Sequence, residues 1–153
     1  MSKLDAFYHA VAPHLLSLTR IVFALLFLLH GIQKLFRWPV EPGSEMVPGF
    51  YLASLPPLIA AAGVLEVVGG VLLLIGLLVR PVAFVLSGQM AFAYFMAHAA
   101  DGLIPNYNGG EKAVLYCFAF LYLAVAGGGA WSLDRFFRRR EPAAAPHQVD
   151  SVV

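Results

Sequence analysis

The sequence predicts an all-α membrane protein: an up-down bundle of four transmembrane helices with both termini on the cytoplasmic side. Three observations point there. First, 60% of the 153 residues are hydrophobic and 12% are charged, against about 45–50% and about 25% in a soluble domain. A chain this short encloses too little interior to hide so much apolar surface from water, and lipid is its natural solvent. Second, the apolar residues fall into long runs divided by turn-rich segments. Third, the basic residues collect at alternate ends of those runs.

A membrane span needs about 20 mostly apolar residues. The first is read at about residues 15–36, with Arg20 near its start and His30, Gln33 and Lys34 near its end. It is too long for a signal h-region and no small-residue cleavage site follows it, so it reads as a retained span. Residues 37–57 hold Pro39, Pro42, Gly43, Pro48, Gly49, Pro56 and Pro57, the composition of an extramembrane loop. Within it, residues 46–55 are expected to form a short interfacial helix presenting Phe50, Tyr51 and Leu55 on one face.

Residues 58–99 are almost continuously apolar, and one straight helix of about 40 residues would be about 60 Å long, twice the hydrocarbon thickness. Arg80-Pro81 lies near the middle of that run, and proline suits a first helical turn but not a helix interior. The run therefore divides into a second span at about 58–79 and a third at about 81–99. The polar, turn-rich residues 101–112 precede a fourth span at about 113–131. Residues 1–140 form the membrane domain, and 141–153, rich in alanine and proline, are expected to be a disordered cytoplasmic tail. No internal repeat is evident.

Orientation follows from the basic residues. With four spans, Lys3, Arg20, Arg80, Arg135, Arg138, Arg139 and Arg140 share one side, and only Lys34, Arg37 and Lys112 occupy the other. The richer side is the cytoplasmic one, where Trp131, Phe136 and Phe137 would settle at the interface. Gly63, Gly69 and Gly70 in the second span, with Gly88 and Ala91 in the third, are small enough for close helix contact.

Polar residues inside spans need partners, because each ionisable group costs about 2.5–3.5 kcal/mol to insert. His30 and Lys34 are four apart and share a helix face with Phe23 and Phe27. Either Lys34 snorkels to the headgroups and His30 is a satisfied interior group, or the two form a cationic wall for an anionic or quinone-like ligand. Glu66 lies roughly 12 Å deep by helix rise, so it must be protonated or paired. A structural pair with Lys34 or His30 is one reading, and a proton-handling carboxylate is the other. His98 closes the third span with Tyr94 one turn below, while Gln89 lies about half a revolution away and is not grouped with it. In the loop 106–111, Asn106, Asn108 and Glu111 read either as a turn with a dipole-complementing first-turn acid or as polar groups set beside the outer helix ends. The depths of His30, Lys34, Glu66, His98 and Glu111 suggest one hydrogen-bonded cluster.

Some functions lose their support. The formal net charge of +1 gives no reason to expect a nucleic-acid partner. The single cysteine, Cys117, excludes an intramolecular dithiol centre. No phosphate-binding loop, dinucleotide fingerprint, nucleophile elbow or paired metal-ligand motif is present, and no metal site is expected. Two histidines at similar depth could ligate a haem, but a haem is not expected here.

The pattern resembles the DoxX family of small four-helix bacterial membrane proteins over about residues 18–134. The resemblance rests on Arg20, Phe27, His30-Gly31 and Lys34 in the first span and Glu66 with Gly69-Gly70 and Gly76 in the second. His98, Asn108-Gly109-Gly110-Glu111, and Gly129 with Ser132-Leu133-Asp134 complete it. It implies a multi-pass protein of the cell inner (cytoplasmic) membrane, a family described as oxidoreductases or their subunits, with links to quinone, thiol and sulfur metabolism and oxidative stress. Residues and resemblance together suggest a membrane subunit of a redox complex without a complete catalytic site of its own. Glu66 and His30 are the expected catalytic residues, and Lys34, Gln33, His98, Asn108 and Glu111 the expected ligand-binding ones. No cofactor is evident in the sequence, with a quinone as the candidate ligand, and the candidate partners are the lipid bilayer, a redox-enzyme subunit and further copies of the chain. A non-redox binder or transporter, or a membrane scaffold for a soluble partner, remains the alternative.

Overall fold

The computed structural model describes residues 2–40 and 42–138. The expected disordered tail, 141–153, lies outside the described residues. Those described are helical or irregular, with no strand among them. The helices are α1 (Lys3–Phe36), α2 (Pro57–Ile75), α3 (Val79–Ala97), α4 (Glu111–Ala126) and a short α5 (Leu133–Arg138). By length and hydropathy, α1, α2 and α3 can each cross a membrane. The 16 residues of α4 give about 24 Å, short of a full span.

α1 starts twelve positions before the expected span because a capping box nucleates it early. Ser2 Oγ accepts from the Asp5 amide at 3.1 Å, and the Asp5 carboxylate accepts from the Ser2 amide at 3.0 Å. Its 34 residues extend about 51 Å, so the helix overruns the hydrocarbon layer. Arg37, in the left-handed region at φ 53°, ends it. The following loop is tied back by the amides of Gly49 and Tyr51, which donate to Phe36 and Leu35 carbonyls at 3.0 and 2.8 Å. Of the expected interfacial helix at 46–55, only a 3₁₀ turn at Leu52–Ser54 forms. Pro48 and Pro56 leave no room for a regular helix between them.

The reversal between α2 and α3 falls at Gly76–Leu78, a few residues before the expected Arg80-Pro81 break. Gly76, at φ 74°, takes the left-handed cap that stops α2. Pro81 then falls in the first turn of α3, where a missing N–H leaves nothing unbonded. α4 stops at Ala126, five residues short of the expected end of the fourth span. Gly127 and Gly129 adopt φ of 87° and 77°, which breaks the helical path.

α1 packs along α2 and α3 along α4; α2 touches α3, and α1 touches α4 more lightly. Glycines set the α1–α2 separation. A Cβ on Gly31 would stand 2.8 Å from Glu66 Cβ, and one on Gly70 would stand 2.9 Å from Leu28 Cβ. Gly63 and Gly69 are likewise buried in contact, whereas Gly88 faces open space and mediates no helix contact. Phe27, Phe120, Leu73, Leu86 and Leu123 form the core, with the Phe27 and Phe120 rings edge-on at 4.8 Å.

One end of the helices is knotted around Arg20, which is fully buried. Its guanidinium donates to the carbonyls of Leu73 and Leu74 at the end of α2, the latter at 2.9 Å. It also donates to Gly128 at 3.0 Å and Trp131 at 2.7 Å in the α4–α5 connection. Ser17, one turn earlier, accepts from the Trp131 amide at 3.0 Å, and the Pro13 carbonyl accepts from the Ala130 amide at 2.9 Å. Asp134 caps α3 from a distance by accepting the amides of Leu78 and Val79 at 2.7 and 2.8 Å. Replacing Arg20 with methionine leaves the Leu74 and Trp131 carbonyls without donors, while Leu73 keeps the Gly76 amide and Gly128 the Ser17 hydroxyl. The expected loss is at least about 2 kcal/mol, each orphaned acceptor costing about 1–3 kcal/mol. Thermal unfolding in detergent checks this, and a variant as stable as the parent would refute the knot's importance.

Candidate functional site

The opposite end of the helices holds the polar residues singled out by sequence. Glycine at position 31 lets α1 approach α2 until Lys34 reaches Glu66. Lys34 Nζ pairs with Glu66 Oε1. The partners differ sharply in exposure: the Lys34 side chain is 38% exposed and that of Glu66 only 1%. The lysine thus connects a buried carboxylate to the outside. From α3, Gln89 Nε2 donates to the same Glu66 oxygen at 3.2 Å and to the Ala62 carbonyl at 3.3 Å. Glu66 Oε2 and Gln89 Oε1 are buried and have no hydrogen-bond partner among the described residues. The buried Glu66 and the half-buried Gln89 therefore each keep a buried acceptor without a donor, an arrangement rare in folded proteins.

His30 does not bond to Glu66. Its ring meets Tyr116 of α4 edge-on at 5.8 Å, and the charges of Lys34 and Lys112 both act on it. Tyr116 also stacks with Phe120 at 5.6 Å and approaches Phe27 at 5.2 Å. His30, Gln33, Lys112 and Tyr116 line a cavity of about 450 Å³ between α1 and α4, completed by Phe23, Leu26, Leu29, Pro39 and Leu115. Ligand pockets commonly measure about 300–1,000 Å³. The wall is mainly aliphatic and aromatic, with polar groups from α1 and α4.

His98 and Asn108 belong to a second group that clasps the α3–α4 loop. His98 Nδ1 donates to the Asn108 carbonyl at 3.0 Å. The Asn108 amide donates to Gly102 at 2.7 Å and to the Tyr94 hydroxyl at 3.3 Å, and its oxygen accepts the Gly110 amide at 2.8 Å. Tyr94 in turn donates to the Leu103 carbonyl at 2.9 Å. Glu111 is exposed in the first turn of α4, with no side-chain partner among the described residues. Among those residues no hydrogen bond joins the two groups. The expected single cluster is thus an ion pair, a cavity wall and a loop clasp.

Sequence reading omitted two residues from this site, Gln89 and Tyr116. Gln89 could have been found as a polar side chain deep in an apolar span, which needs a partner on another helix. Tyr116 had no comparable signal beyond lying one turn after Lys112.

Apolar helices of spanning length around a buried ion pair define a small multi-pass membrane protein. The chain belongs to the DoxX family, whose model matches residues 15–99, more than half of it. An uncharacterized protein of Haemophilus influenzae is 42% identical over 83% of this chain and 94% of its own length. The inner membrane protein YphA of Escherichia coli is 33% identical over 84% of this chain and 94% of its own length. The uncharacterized membrane protein Rv3486 of Mycobacterium tuberculosis is 30% identical over 88% of both chains. No solved structure matches. With these relatives and its apolar helices, the chain is an inner-membrane protein.

The asymmetric burial of the ion pair has a measurable consequence. Lys34→Met strands a buried carboxylate and is expected to cost about 3 kcal/mol. Adding Glu66→Gln should recover more than half of that loss, because no orphaned charge remains. A double-mutant cycle on unfolding in detergent measures the coupling, and additive single effects would contradict it.

Proposed function

We propose that the protein is a membrane subunit of a redox complex that binds a quinone between α1 and α4, with Glu66 and His30 handling protons. The observation that carries this reading is the half-satisfied Glu66 carboxylate: buried, held on one oxygen by Lys34 and Gln89, and open on the other. A group so placed can take up or release a proton with little rearrangement of its neighbours. The nearby cavity suits a flat ring with polar edges. Phe23 and Tyr116 supply aromatic surface, while His30, Gln33 and Lys112 supply donors for ring oxygens. Leu26 and Leu115, both about half exposed, border it on the lipid side, the side from which a quinone arrives.

Reducing a quinone takes up electrons and protons together. Cys117 alone cannot cycle as a dithiol, so in this reading electrons come from a partner subunit. The quinone takes two electrons from that subunit and two protons: His30 holds one ring oxygen and passes it a proton, the other ring oxygen takes its proton from the outer solvent, and Glu66 with Lys34 restores that of His30. In the same reading α4 and the glycine-rich residues after it make a fourth crossing, which puts both termini in the cytoplasm. The excess of arginine at the Arg20 end supports that orientation.

Topology is tested by cysteine labelling in intact cells. Cysteines at Glu45 and Asn106 should react from outside, and one at Arg80 only after permeabilisation; outside labelling at Arg80 would invert the scheme. The redox reading is tested with the purified complex and a soluble quinone. His30→Ala should weaken quinone binding about tenfold, the loss of one well-placed hydrogen bond in an apolar site. Glu66→Gln should leave binding intact and abolish quinone-dependent turnover. A complex that binds no quinone, or a Glu66→Gln variant with full turnover, would overturn this function.

A further inference from the structure

A second and larger cavity, of about 860 Å³, opens at the Arg20 end of the molecule. It lies among α1, the α2–α3 turn, the start of α3 and the α4–α5 connection, away from the residues of the proposed quinone site. Two guanidinium groups line it. Arg80 Nη1 donates to the Val125 carbonyl at 2.6 Å, which anchors that side chain at the end of α4. Arg135 also lines the cavity, and its guanidinium has no hydrogen bond or ion pair among the described residues. Asp134 is the acid on the wall, and both its oxygens already accept the amides of Leu78 and Val79. Its charge is thus directed at the start of α3. The backbone amides of Gly128 and Gly129 likewise have no acceptor among the described residues. The remaining wall is apolar, including Leu16, Leu77 and Phe137.

We infer that this cavity binds a phosphate-bearing anion, and that its source is the headgroup of an anionic membrane phospholipid. The guanidinium fork matches phosphate oxygens, and free backbone amides add donors of the kind that line anion sites. A free phosphate would need only the donors. The apolar wall beside them instead matches the glycerol and first acyl carbons of a lipid. Lipid bound here would bridge α1, the α2–α3 turn and the α4–α5 connection, the same elements that Arg20 ties from within. The inference does not depend on the quinone reading and holds whether or not a quinone binds.

The test uses the full chain in detergent, with phosphatidylglycerol, phosphatidylcholine, glycerol phosphate and inorganic phosphate as probes, read by native mass spectrometry and thermal shift. Phosphatidylglycerol should be retained and raise the melting temperature, and phosphatidylcholine should do neither. Arg135→Gln should reduce phosphatidylglycerol affinity about tenfold, the loss of one charge-assisted contact. Lys3→Gln, which removes an exposed basic charge of α1 outside the cavity lining, should leave it unchanged. Arg135→Lys, which keeps the charge but loses the fork, should bind with intermediate affinity. Glycerol phosphate or inorganic phosphate binding as tightly as the lipid would keep the anion site and overturn the lipid as its source. Equal retention of phosphatidylglycerol and phosphatidylcholine would overturn the site itself, as would loss of selectivity in Lys3→Gln with none in Arg135→Gln.

Discussion

A fully buried arginine in an apolar helix sets the terms for the rest of this structure. Inserting such a group into lipid costs about 2.5–3.5 kcal/mol, so Arg20 is tolerable only if its donors are all answered nearby. They are answered by main-chain carbonyls that α2 and the α4–α5 connection cannot satisfy themselves. Past Gly76 the helix supplies no further amides, so the Leu74 carbonyl has no main-chain donor among the described residues and that of Leu73 has only the Gly76 amide at 3.1 Å. The carbonyls of Gly128 and Trp131 are free because the glycine run has left helical geometry. Each side removes the other's cost, and the outcome ties distant parts of the chain into one end. Asp134 repeats the device with opposite charge, supplying the cap that α3 lacks locally.

The other end is built by a different rule. Lys34 and Glu66 also neutralise one another, but the site is left incomplete. Glu66 Oε2 and Gln89 Oε1 remain without donors in a region where unsatisfied acceptors cost about 1–3 kcal/mol each. The buried guanidinium of Arg20 is therefore fully engaged, whereas the Glu66 end keeps two buried side-chain acceptors in reserve. That contrast separates a structural knot from a functional site more clearly than the identities of the residues do, since buried charges occur at both.

Glycine determines how near the helices come. Gly31 allows the α1 and α2 backbones to approach until Lys34 reaches Glu66, and Gly70 does the same beside Leu28. In lipid no hydrophobic gain draws helices together, so close packing and interhelical hydrogen bonds must do so. The ion pair is therefore both a product of the α1–α2 contact and one of its causes.

The sequence alone determined that this is a helical membrane protein, roughly where its long apolar helices lie, and that it resembles the DoxX family. These are consequences of composition and run length, which need no knowledge of neighbours. It also narrowed the partner of Glu66 to Lys34 or His30, because depth along a helix follows from residue count. Tertiary structure decided between them, since azimuth and helix separation are not written in spacing. It brought Gln89 to Glu66 and Tyr116 to His30, and it gave His98 and Asn108 to a loop clasp. It also showed Arg20, which in sequence was a basic residue near a span end and an orientation signal, as the centre of a buried knot. Its acceptors are backbone carbonyls, which every residue carries, and only folding determines which of them are left free.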